Sequence, residues 1–395
     1  MNPTAESASL LNKVAAKLTG AIRERGMAAG SWYLVCELAR RLTATACVRR
    51  MRLVDYQPVP KLVVHRTDVR TPRFPVVDAH NHLGEEFGGG WIRRPVPELL
   101  DVMDQVGVEM LVDLDGAWGE HILEQHLSHF KEAAPYRFQV FAGVDWSRWN
   151  EQGDGFGDWA ATRLEAQVGR GAQGLKIWKA LGLSVRDQRG ALVPVNDRRL
   201  DPLWDTAARL RLPVVIHVAD PAAFFDRMDR FNERYQELAR YPQWSTWGLK
   251  VPAFHTLLEQ FADLVLRHPG TTYIGAHVGC YAENLEWVSN LMEQAPNFYV
   301  DISARLAELG RQPHTARRFF LQHADRVLFG ADICPQIEVY RLYYRFLQTD
   351  DDYFDHSIRG VAGQGRWKIY GVSLPGEVLR KVYQENARRV LLPCD

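Results

Sequence analysis

Between Phe74 and Leu392 the sequence switches repeatedly between a short apolar run and a longer amphipathic one. Short apolar runs bounded by turn residues read as buried strands. Apolar residues recurring every three or four positions read as helices. The strands expected are Pro75–His82, Val108–Leu114, Arg137–Val144, Ala172–Ile177, Leu212–Val218, Thr272–Ala276, Phe298–Ile302 and Val327–Gly330. The helices expected between and after them are Pro97–Val106, Glu120–Ala133, Asp158–Val168, Pro202–Arg211, His255–Arg267, Asn284–Gln294, Thr315–His323, Ile337–Gln348 and Pro375–Leu391. Val214-Val215-Ile216 is wholly β-branched, as suits a strand covered on both faces. Eight such units predict an α/β protein built as a parallel (β/α)8 TIM barrel, whose members take about 200 to more than 400 residues. A doubly wound sheet would bring a G-x-G-x-x-G phosphate loop after the first strand, and none is present.

Two segments lie outside this alternation. Residues 1–70 read as an N-terminal helical extension to a barrel domain at 71–395. Leu10, Leu11, Val14, Leu18 and Ile22 have helical spacing, a second helix runs from Ser31 to about Arg52, and Lys61 to Arg66 alternates as a strand would. Residues 220–254, rich in Phe, Arg, Trp and Pro, form an insertion after the fifth strand that suits a lid over a pocket or a subunit contact. A turn is expected at Asp187-Gln188-Arg189-Gly190.

Composition narrows the partners. Lys+Arg and Asp+Glu are 48 each, so the formal net charge is zero. Nothing in that balance suggests general affinity for nucleic acid or for an acidic membrane surface, and neither is expected as a partner. The five cysteines form no C-x-x-C pair, which points to the cytoplasm rather than a disulfide framework. Glu6 and the lack of an early apolar run argue against a signal peptide, and Glu37, Arg40 and Arg41 interrupt the one fairly apolar stretch. The charge balance and the N-terminal helices permit a homodimer.

Function in such a barrel sits at the C-terminal ends of the strands. The first strand ends in Asp78-Ala79-His80-Asn81-His82, and residues two apart on a strand share a side. His80 and His82 can therefore aim both imidazoles at one point. The fourth strand offers Lys176, the fifth His217, the sixth His277, the seventh Ser303 and Arg305, and the eighth Asp332. Singly, each has an ordinary explanation: a core histidine, a helix cap for Asp332, a carboxylate partner for Lys176. Four histidines and an aspartate at the same end of four strands are instead the donor set of a shared metal site.

These residues resemble the amidohydrolase superfamily, and within it the amidohydrolase-related (amidohydrolase 2) branch of metal-dependent hydrolases and nonoxidative decarboxylases. The likeness covers about residues 74–392. It rests on Asp78-Ala79-His80-Asn81-His82, Ile216-His217, Ala276-His277-Val278-Gly279, Phe329-Gly330-Ala331-Asp332 and Glu385-Asn386-Ala387-Arg388-Arg389. The resemblance implies that His80, His82 and His217 bind a divalent ion, most often zinc, with Asp332 as a further ligand or general base. It implies that His277 binds a second ion or polarises the substrate. In two-metal members a strand-four lysine is carbamylated and bridges the ions; Lys176 stands at that place. One ion is the expectation, since that branch is usually mononuclear.

The expected activity is hydrolysis of an amide, lactone or related acyl bond of a small molecule by metal-activated water, with Asp332 and His277 catalytic. The alternative is nonoxidative decarboxylation of an aromatic or unsaturated acid, and the remaining one a barrel without catalysis. Arg305 is the candidate clamp for a substrate carboxylate, unless it pairs with Glu308 one helical turn on. Trp178 and Tyr281 are candidates for the pocket mouth.

Overall fold

The computed structural model describes residues 16, 19, 32, 35–40, 52, 59–85, 89–332, 334–358 and 363–392. Two compact units divide the chain, Met1–Val63 and Val64–Asp395. In the first, residues 16, 19, 32 and 35–40 are helical and residue 52 is not; the rest of the two helices expected there lies outside the described residues. Lys61 to Arg66 is not the strand expected from its alternation. Alternation makes a strand only where an open edge supplies hydrogen bonds, and here Val63 is fully exposed and no ladder forms.

The second unit runs through eight strand–helix pairs. They are β1 (Val76–Asn81) and α1 (Val96–Val106), β2 (Val108–Asp113) and α2 (Glu120–His126), β3 (Phe138–Val140) and α3 (Phe156–Gly169), and β4 (Leu175–Ile177) and α4 (Asp201–Arg209). Then come β5 (Val214–Ile216) and α5 (Phe254–Arg267), β6 (Tyr273–Gly275) and α6 (Leu285–Gln294), β7 (Phe298–Asp301) and α7 (Pro313–Gln322), and β8 (Val327–Leu328) and α8 (Ile337–Gln348). Every ladder is parallel, in the order β1-β2-β3 and β4-β5-β6-β7-β8. Backbone hydrogen bonds span both gaps. Ala142 N–H donates to Gly174 O and Lys176 N–H to Ala142 O, at 2.9 and 2.8 Å. Ala79 N–H donates to Phe329 O and Asp332 N–H to His80 O, at 2.9 and 2.8 Å. The order and the two seams make this a (β/α)8 barrel.

Two apolar layers hold it. Between strands and helices, residues such as Leu111, Leu175, Val214, Ile216 and Val300 pack outward onto the helices. Inside, Val77, Ala79, Met110, Val112, Phe141, Val215, Ile274 and Leu328 fill the barrel, with Ala387, Val390 and Leu391 of the C-terminal helix in the same cluster. That filled floor leaves the opposite rim for polar groups.

Strand β1 changes phase along its length. Val77 pairs with Met110 and Asp78 with Leu111, but Asn81 pairs with Asp113, so β1 carries one extra residue before Asn81. This is a β-bulge. Before it, Val77 and Ala79 face the interior while Asp78 reaches outward to accept from Tyr340 Oη of α8 at 2.8 Å. After it, Asn81 faces out and donates to Asp78 Oδ2 at 2.7 Å. His80 and His82 therefore face in.

The insertion between β5 and α5 contains three short helical turns, Ala222–Phe224, Tyr235–Arg240 and Pro242–Trp244. The turn at Asp187–Gly190 sits between Arg186 and Leu192, which bridge in antiparallel fashion.

Candidate metal centre

His80 and His82 are each 1% exposed, and their rings are fixed from behind. His80 Nδ1 lies 2.8 Å from Asp301 Oδ2, and His82 Nδ1 lies 2.7 Å from Asp115 Oδ1. A carboxylate accepts, so each Nδ1 carries a proton, which leaves each Nε2 as the atom that would ligate a bound ion. Both Nε2 atoms face Asp332 Oδ1, at 3.3 Å from His80 and 3.0 Å from His82. Ligand atoms about 2.1 Å from a tetrahedral ion stand roughly 3.4 Å apart, so these three donors have the spacing of one coordination sphere. His80, His82 and Asp332 fit a divalent ion on donor type, spacing and supporting carboxylates.

His277 stands beside them. Its ring centroid is 5.0 Å from that of His80, and Nε2 is 3.9 Å from Asp332 Oδ2. Nδ1–H donates to Ser303 O at 3.0 Å, which turns Nε2 to the site. Burial, then the nearby Arg305 guanidinium, push its imidazole well below the usual histidine range, so His277 is neutral.

His217 is placed differently. Its ring is 4.5 Å from that of His277, but Nε2 faces Ala219 O at 3.2 Å and Asp220 Oδ1 at 3.6 Å. It borders the donor cluster without joining the tight group of His80, His82 and Asp332. Burial lowers its pKa to about 4, which keeps it neutral.

Lys176 points into the barrel, is fully buried, and brings Nζ to 3.4 Å from His80 Nε2. Burial lowers its pKa to about 8, so it sheds its proton far more readily than a surface lysine. Burial acts the other way on Asp332 and would raise it. The facing His80 and His277 hold that carboxyl well below the usual range instead.

Around this cluster Trp178 stacks on His82 with centroids 5.3 Å apart, and Trp118 stacks on Trp178 at 4.3 Å. Arg305 is 6% exposed and donates to Ala304 O at 3.0 Å. It pairs with no carboxylate among the described residues; the expected partner Glu308 is bound to Arg234. Tyr281 instead packs against Phe254 and Trp287, on the flanks of α5 and α6.

The strand ends at the site leave the sheet through left-handed backbone. His277, Val278, Ala304 and Asp332 have φ of 59°, 59°, 53° and 55°. Each costs an L-residue about 1–2 kcal/mol, and such strain persists only where the surroundings enforce it. Here His277 N–H is held by Asp301 Oδ1 at 3.1 Å, Ala304 N–H by Tyr343 Oη at 2.9 Å and Asp332 N–H by His80 O.

Asp301 and Asp115 were not among the residues expected at the site. Both carried a signal. Asp301 is a lone charge inside the apolar run Tyr299-Val300-Asp301-Ile302, and Asp113-Leu114-Asp115 has the same two-residue spacing as the histidines.

The chain belongs to the amidohydrolase family: the family model described as Amidohydrolase matches residues 77–392. It is an enzyme of that family. Among solved structures, 2,6-dihydroxybenzoate decarboxylase from Rhizobium superposes with a TM-score of 0.50 at 16% identity, over 81% of this chain and 99% of that one. A dihydroxybenzoic acid decarboxylase from a Polaromonas species, with bound manganese and the inhibitor 2-nitroresorcinol, gives 0.50 at 16% identity over 81% and 97%. At that identity the likeness is one of fold. No curated protein matches the sequence. Among the described residues no helix is long and apolar enough to cross a membrane.

Proposed function

We propose that this enzyme is a metal-dependent nonoxidative decarboxylase of a small carboxylic acid, with an aromatic acid as the best-fitting class. Arg305 carries the reading. A buried guanidinium without a carboxylate partner among the described residues, close enough to His277 to shift its titration, calls for an anion from outside the chain. The Trp118–Trp178 stack beside His82 supplies a flat wall for a ring. Two proteins of like fold are decarboxylases of dihydroxybenzoates.

His80, His82 and Asp332 would hold the ion, manganese or zinc, with His217 and His277 as the nearest further donors. When bound, the ion would supply Lewis-acid polarisation of the substrate oxygens. Arg305 orients the substrate by its anionic charge. Asp332, ionised, takes a proton from a substrate hydroxyl or water and delivers it to the carbon that carbon dioxide leaves; the carbon–carboxylate bond breaks and a carbon–hydrogen bond replaces it. Neutral His277, whose Nδ1–H is given to Ser303 O, presents its Nε2 lone pair to the site, where it accepts a hydrogen bond from a substrate hydroxyl. Trp118 and Trp178 keep water from the ring face.

Hydrolysis of an acyl bond is the second reading, and Lys176 favours it. A lysine inside the barrel beside His80 stands where a carbamylated bridge between two ions would form. In that case Asp332 passes the proton of the attacking water to the leaving group.

The deciding experiment supplies a panel of hydroxybenzoic acids to the metal-loaded enzyme and measures carbon dioxide release. Release that is lost in His82→Ala and Asp332→Asn supports decarboxylation. Turnover of esters, lactones or amides without carbon dioxide release refutes it in favour of hydrolysis.

A further inference from the structure

Arg305 is followed directly by the helical turn Leu306–Arg311, and Glu308 stands three residues on. That spacing ordinarily joins an arginine to a glutamate on one helix face. Here Glu308 Oε1 is taken by Nη2 of Arg234, which comes from the insertion after β5. Arg234 is 0% exposed, and its Nη1 donates to Glu237 Oε2 at 2.8 Å. Glu308 is 1% exposed, and its Oε2 has no hydrogen-bond partner among the described residues. The carboxylate thus has room for a second cation, and Arg305 does not take it.

The insertion is built to hold Arg234 there. Asn232 Nδ2 donates to Ala223 O at 2.8 Å and Arg227 O at 3.2 Å, and Asn232 Oδ1 accepts from Arg234 N–H at 2.9 Å. The far end of the same helical turn is tied down as well. Arg311 pairs with Glu233 at 2.8 Å and lies 4.1 Å above the Trp367 ring.

We infer that Arg234 is a positioning residue: by occupying Glu308 it keeps the Arg305 guanidinium off its own helix and available to the carboxylate of a substrate. This rests on the reading of Arg305 as the carboxylate-binding group. The physical reason is the cost of an uncompensated buried charge. Without Arg234, Glu308 would be an unpaired carboxylate in the interior, and Arg305, one turn away, is the cation placed to neutralise it. The insertion then sets affinity for the anion without touching it.

The test uses crystal structures and calorimetric titration of benzoate into metal-loaded enzyme, for the wild type, Arg234→Met, Arg305→Met and the Arg234→Met/Glu308→Leu double variant. In Arg234→Met, Arg305 is expected within 4 Å of the Glu308 carboxylate, the distance of an ion pair. Benzoate binding there should weaken about tenfold or more, the value of one charge-assisted pair, with metal content unchanged. In the double variant Glu308 no longer competes, so Arg305 and the affinity return to wild type, which a merely structural role for Arg234 would not produce. An Arg305 that stays in place in Arg234→Met, or a double variant without recovery, overturns the inference. Should Arg234→Met not fold, Arg234→Gln makes the same comparison. If Arg305→Met binds benzoate as the wild type does, the carboxylate reading fails, and the crystal structures still decide the role of Arg234.

Discussion

Asp115 has no contact with substrate in the proposed reaction, yet its replacement should weaken metal binding. Its carboxylate is 1% exposed and takes three hydrogen bonds. Oδ1 accepts from His82 Nδ1–H at 2.7 Å and Trp118 Nε1–H at 3.0 Å, and Oδ2 accepts from Gly84 N–H at 2.7 Å. Burial alone would raise this carboxyl, but His82 and Gly84 hold it below its usual range, so it is a full negative charge behind His82. Asp115→Asn keeps the shape. Its amide oxygen can still serve His82 and Trp118, but the amide N–H2 then faces Gly84 N–H, leaving donors opposed at a cost of about 1–3 kcal/mol. The lost charge also lowers the basicity of His82 Nε2, and changes behind a ligating histidine typically cost about 10–100-fold in metal affinity, or roughly 1.4–2.7 kcal/mol. Competition between the variant and a chromophoric chelator for Mn2+ or Zn2+ gives the dissociation constant, with circular dichroism as the control for folding. An affinity within twofold of wild type would refute both His82 as a ligand and Asp115 as its support.

Three further outcomes follow from the same structure. Gly174→Ala places a Cβ 2.3 Å from the Phe141 ring inside the barrel, so chemical denaturation should show a loss of about 1–3 kcal/mol or more; an unchanged midpoint would mean that the ring is not where it stands here. Burial would lower His126, but the Asp113 carboxylate outweighs it and raises its pKa; the pair therefore stabilises the fold fully below about pH 6.5 and loses that contribution as pH rises through the folded value. The denaturation midpoint of His126→Gln should accordingly fall less than that of the wild type between neutral and alkaline pH, and parallel profiles would count against the pair. Stripping metal with a chelator should lower the melting temperature by several degrees, since ligand at about 100 times its dissociation constant contributes roughly 2.7 kcal/mol; identical melting curves with and without added ion would argue against the site.

The strand–helix order was legible because each element carries its own period, and the helix α8 was bounded in the sequence as it stands in the fold. The ladders are shorter than the apolar runs: Arg137–Val144 forms a continuous ladder only over Phe138–Val140, on β2, and beyond it a single bridge joins Ala142 to Leu175 of β4. Four of the site residues were legible as side chains at strand ends, His80, His82, His277 and Asp332. Their supports were less so. Asp301 and Asp115 act on the far sides of the rings, and which histidine each one holds depends on contacts across 221 and 33 residues of sequence. His217 shows the limit of position as a guide, since a strand end brings a ring to the rim and its own loop decides where Nε2 turns. Arg305 was legible with two partners, and only the fold shows that Arg234 removes one of them.

The extra residue in β1 divides one short strand into two grammars. Up to Ala79 the interior face is written in apolar side chains that fill the barrel; from His80 onward the same face is written in imidazoles. Without the bulge, strict alternation would carry Val77 and Ala79 inward and leave Asn81 as the next residue to point there, with His80 and His82 turned toward α8. A deletion of Ala79 alone would remove the bulge and restore strict alternation with Val77, His80 and His82 all facing inward, so the donor cluster should survive it.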